Sequence, residues 1–169
     1  VKADKQKEPD LQTNKASLNK VANDISKKES EITEKNTKLD ELKEKLSLAE
    51  TSKSALEGEL DTIEGNITSL EEKIKNETDT TKKSELQKEL TEAKKKKTKI
   101  EADIKTQQTI IDNTPREINT CERAIETLKD DVENLEAEQK ELQSVVDNQA
   151  IKKSKSLGYQ RADESCVTK

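Results

Sequence analysis

The chain has 169 residues, of which 28% are apolar and 41% charged, with a formal net charge of −5 and no His, Met, Trp or Phe. Globular domains run near about 45–50% apolar, so a packed sandwich, barrel or Rossmann-type core is excluded. The apolar runs are pairs such as Ile110-Ile111 and Val145-Val146, far short of the roughly 20 residues that cross a bilayer, and the chain reads as soluble. Its first residue, Val1, suggests a processed or trimmed protein.

Residues 1–10 have no apolar periodicity and read as an irregular N-terminal segment. From Leu11 an apolar residue returns every seventh position: Leu18, Ile25, Ile32, Leu39, Leu46, then Lys53 as the exception, then Leu60, Ile67 and Ile74. These are heptad a positions. The d row, three residues on, includes Asn14, Val21, Lys28, Lys35, Leu42, Ala49, Leu56, Ile63 and Leu70. A 3.5-residue recurrence held this long predicts a helical arm over 11–75 in a left-handed coiled coil.

Residues 76–84 contain no apolar side chain and are rich in Asn, Asp, Ser and Thr, which favour caps and turns. They are expected to form a turn. A second arm over 85–149 carries an a row that includes Leu90, Ile104, Ile111, Ile118, Ile125, Val132 and Val146, and a d row that includes Leu86, Ala93, Ile100, Thr114, Cys121, Leu128, Leu135 and Leu142. About 26 of the 29 Leu, Ile and Val residues between 11 and 149 stand at a or d, where an unpatterned sequence would place about two in seven.

The step from Ile74 to Leu90 is sixteen residues. That is two more than two heptads, and one continuous seam absorbs insertions of three or four but not of two. A chain reversal needs no common register. The arms are also equal in length, so folding about residue 80 sets each a layer against a d layer. Lys53 then faces Gln107, Ala49 faces Ile111, Lys28 faces Val132 and Lys35 faces Ile125. The predicted fold class is all-α, a long two-helix antiparallel coiled-coil hairpin about 95 Å long, with a monomer favoured over a parallel homodimer. Pro115 should kink the second arm, or start a third helix through the capping-box pattern Thr114-Pro115-Arg116-Glu117. Residues 150–169, with Lys152, Lys153, Lys155 and Arg161 and no heptad, are expected to form a basic, mostly irregular tail.

Chemistry-bearing patterns are few. No histidine exists to act as a base or zinc ligand, the acidic residues fall on solvated helix faces, and Gly58, Gly65 and Gly158 form no phosphate-cradling loop. No catalytic residue, cofactor or metal is expected. Lys94-Lys95-Lys96-Lys97 spread about 100° apart around the helix and have no aromatic neighbours for stacking, which makes nucleic acid an unfavoured partner. Asn66-Ile67-Thr68 and Asn76-Glu77-Thr78 match the glycosylation acceptor pattern, with Asn76 well placed at the turn. Cys121 lies in the d row and Cys166 in the tail. In an oxidising compartment they are each other's only intrachain disulfide partner, reachable if residues 150–166 run back extended.

The sequence therefore points to a non-enzymatic coiled-coil protein, secreted, that binds an extracellular protein partner of unspecified identity. An intracellular tether or cytoskeletal spacer in the cytoplasm is the first alternative, and an RNA-docking helical arm the second.

Overall fold

A computed structural model describes the backbone of residues 10–167 and the side chains of residues 10–155. The fold is an all-α hairpin: α1 spans Leu11–Asn76, α2 spans Thr80–Val167, and the two pack against each other. No helix among the described residues is long and apolar enough to cross a membrane.

Both helices start at an aspartate. The Thr13 N–H donates to Asp10 Oδ1 at 2.8 Å, which satisfies one of the donors that a helix leaves unpaired in its first turn. Asp79 does the same for α2, accepting the Thr81 N–H at 2.9 Å on Oδ1 and the Lys83 N–H at 2.9 Å on its carbonyl. The reversal is closed from the other side by the Glu77 N–H, which donates to the Ile74 carbonyl at 3.3 Å.

The turn is consequently Glu77–Asp79 and not the whole of 76–84. Residues that favour caps do not all form a loop here, because a single capping aspartate lets Thr80, Thr81 and Lys82 begin the helix at once. The structure also departs from an irregular tail over residues 150–167, while residues 168–169 lie outside the described residues. Instead of turning irregular, α2 runs on through Val167. Residues 150–157 contain no proline and several good helix formers, and one glycine, Gly158, costs only about 1 kcal/mol against alanine. Loss of the heptad ends the seam without ending the helix: residues 151–155 are helical with every side chain exposed.

Pro115 also behaves differently from the third-helix alternative. It lies inside α2, which is continuous through it, so the capping-box pattern at Thr114 opens no new element. Thr114 is the most buried described side chain, at 1% exposed. Its place at d holds it in the seam, and among the described residues no buried polar side-chain atom lacks a hydrogen-bond partner.

Burial follows the heptad position by position. From Leu11 to Ile74 and from Leu86 to Gln149, every a and d side chain is buried or half-buried except Lys35, which is exposed. The chain divides into two compact units, one built from residues up to Asn36 with Arg123 onward, the other from Thr37–Glu122. In the first, Val21, Ile25 and Val132 form a buried cluster with Ile32, Leu135 and Leu142 packed on it. In the second, Leu42, Ala49, Ile67, Ala93 and Cys121 are the buried apolar residues, with the turn at one end.

Candidate interaction surface

Polar residues in the seam are handled in three ways. Asn14 Nδ2 donates to Gln149 Oε1 at 2.9 Å across the two helices. Lys28 lays its stem along the seam and sets its ammonium 3.6 Å from Asp131, the neighbour of its layer mate Val132. Such stems cover apolar surface while the charge stays wet. Lys53 does not bond Gln107 through its ammonium, which instead lies 3.5 Å from Glu57 on its own helix.

The lysine run separates as helical geometry requires. Lys94, Lys95 and Lys96 are exposed, whereas Lys97 is half-buried and sits 3.9 Å from Glu64 of α1. Lys95 pairs with Glu92 at 3.7 Å. The four ammonium groups therefore do not converge on one point.

Asn66 is exposed in mid-helix, and Asn76 is the exposed last residue of α1, with Thr78 exposed inside the turn. Cys121 is buried at 7% exposed. The side chain of Cys166, and with it the Cys121–Cys166 bridge, lies outside the described residues; the backbone over 150–167 is helical, not the extended run that the bridge requires. Among the described residues no group of three or more His, Cys, Asp or Glu is arranged to hold a metal ion.

Open grooves lie beside the seam in the Thr37–Glu122 unit. One of about 730 Å³ lies at the turn, lined by Asn76, Glu77, Lys82 and Leu86. A second, of about 530 Å³, is lined by Ile63, Asn66, Leu70 and Ala93. Two more, of about 410 Å³ each, lie at Glu59 with Ile100 and at Leu48 with Ile110. All four include g residues of both helices, so they share one side of the hairpin. That side leaves seam residues such as Ile63, Leu70 and Leu86 half-covered, and Leu48 is the most exposed large apolar side chain among the described residues, at 60%.

The helix caps and one seam bond have sequence signals of their own. The aspartate caps at Asp10 and Asp79 precede their helices by one residue, a placement that the Asp-x-x-Thr and Asp-Thr-Thr strings do signal. The Asn14–Gln149 bond was signalled by two polar d residues at nearly equal distances from the turn. The Asp10 carboxyl is held below its ordinary range by the hydrogen bond from the Thr13 backbone, with the Thr13 hydroxyl adding to it.

No family model, curated protein or solved structure matches the chain.

Proposed function

We propose that the chain is a non-enzymatic coiled-coil interaction protein, acting outside the cell by offering its helical faces to a protein partner. The observation that carries this reading is the burial pattern. Side chains are covered at a and d along both helices and almost nowhere else, so the fold places its remaining side chains at the surface, where a partner can read them. A 3.5-residue recurrence of buried positions is what a coiled coil requires. The open grooves beside the seam suit contact with a helix or loop better than enclosure of a small substrate, which needs a concave and largely covered site.

A protein partner is favoured over RNA because Lys97 is engaged with Glu64 and the other lysines of the run diverge. The extracellular assignment rests on the acceptor patterns at Asn66 and Asn76, the second exposed beside the turn.

Photo-crosslinking in the native setting tests the reading. A crosslinker at exposed Glu133 or Glu126, with buried Leu42 as control, is expected to trap one defined protein in the extracellular fraction. Retention inside cells would replace this reading by the tether. Recovery of RNA, lost with rising salt, would replace it by the nucleic-acid arm.

A further inference from the structure

Between Glu138 and Lys155 one strip of α2 carries its charges in two halves. Its heptad g and c positions, which alternate at steps of three and four residues and so stay on one side of a supercoiled helix, are Glu138, Glu141, Val145, Asn148, Lys152 and Lys155. All six are exposed, and the four charged ones make no ion pair among the described residues. None of the four has an opposite charge three or four residues away along α2, the spacing at which helical neighbours pair. Each has a like charge there instead: Glu138 is three residues from Glu141, and Lys152 three from Lys155.

Two further observations fall on the same stretch. The exposed large apolar side chains among the described residues are Leu48, Val145 and Ile151, and the last two lie here. Asn14, in the first turn of α1, already bonds Gln149, yet α2 continues to Val167, with every side chain of residues 151–155 exposed. A helix of that length is marginal in water unless another surface packs against it.

We propose that α2 pairs antiparallel with α2 of a second copy through this strip. The two-fold axis crosses between the levels of Val146 and Asp147, so each g residue stands level with a c residue, as a and d do in the seam. Glu138 is then level with Lys155 of the second copy, Glu141 with Lys152 and Val145 with Asn148, and the symmetry repeats each pair. Row by row the charges also agree. An antiparallel two-fold sets g beside g and c beside c, and both rows are acidic before the axis and basic after it, with Glu138 and Lys152 in g, Glu141 and Lys155 in c. The strip is thus its own complement, which names a second copy as its occupant. A parallel pairing in register would set Glu138 against Glu138 and Lys152 against Lys152. From Glu138 to Lys155 the strip is roughly 26 Å long and about 10 Å wide. That is about 260 Å² from each copy, a third of the roughly 800 Å² that stable complexes bury per partner. The dimer is therefore weak and held largely by charge, with a Kd of the order of 100 µM at low ionic strength. The proposal needs only the hairpin and holds in any compartment.

Sedimentation equilibrium of the full chain, up to about 1 mM, tests it. Dimers are expected in about 0.02 M salt and monomers in about 0.5 M, where exposed charges are screened. Glu138→Lys with Glu141→Lys should weaken association at least tenfold at low salt, and so should Lys152→Glu with Lys155→Glu. Mixing these two variants should restore dimers, because every level then pairs opposite charges across unlike chains. Circular dichroism checks that each variant keeps its helices; if either does not fold, all four reversals in one chain stand in, with dimers expected. A chain monomeric at low salt, a dimer indifferent to both reversals, or a mixture or four-fold reversal that stays monomeric would overturn the proposal.

Discussion

Asn14 Nδ2 lies 2.9 Å from Gln149 Oε1, a part-buried hydrogen bond between d residues of the two helices that are 135 positions apart in sequence. An amide pair in an apolar seam contributes little net stability but is costly to break on one side, because the abandoned group loses its partner without regaining water. Asn14→Ala is expected to lower stability by about 1–3 kcal/mol. Replacing both residues by leucine should be close to neutral in stability while loosening register, since leucines pair with any leucine. Chemical denaturation measures the first, and the spread of cross-links between the two helix ends measures the second.

The seam should be readable by truncation. Leu42 is 4% exposed and Leu48 60%, although they are six residues apart on the same helix. Leu42→Ala is expected to cost about 2–4 kcal/mol, through lost burial and an unfilled space, and Leu48→Ala less than about 0.5 kcal/mol. Equal losses in urea unfolding would mean that the heptad does not carry the stability.

Pro115 sits inside a continuous α2, where its ring removes one backbone donor and crowds the preceding turn. Pro115→Ala should therefore raise stability, by about 1–3 kcal/mol. A thermal melt that moves downward would show that the proline is needed where it stands.

The start of α1 should loosen in acid. Hydrogen bonds from Thr13 hold the Asp10 carboxyl below its ordinary range. A carboxyl depressed in the folded state contributes its stability above the unfolded value, near about 3.9, and loses it as pH falls through the lower folded value. The Thr13 amide resonance should move toward its unfolded position below about pH 4, whereas Asp10→Asn, which still accepts the bond, should remove that dependence. A shift of equal size in the asparagine variant would assign it to another group.

What the sequence determined by itself was the seam, because burial in a two-helix hairpin is decided by a one-dimensional period. Leu42, Ile67, Ala93 and Val132 are covered for the same reason that they recur, and the two-residue offset between Ile74 and Leu90 announced a reversal. The helix ends were not legible in the same way. Asp79 shortens the turn to three residues, since one side chain supplies the bonds that a longer loop was expected to supply. Beyond Gln149 the seam stops and α2 continues to Val167, because helix propensity and seam periodicity are separate properties of the chain. Only the tertiary structure could decide that Lys28 meets Asp131, that Lys97 meets Glu64 and that Asn14 meets Gln149. Each depends on the azimuth and reach of side chains across the seam, a matter of about one residue in register, and the period of the sequence leaves that distance open.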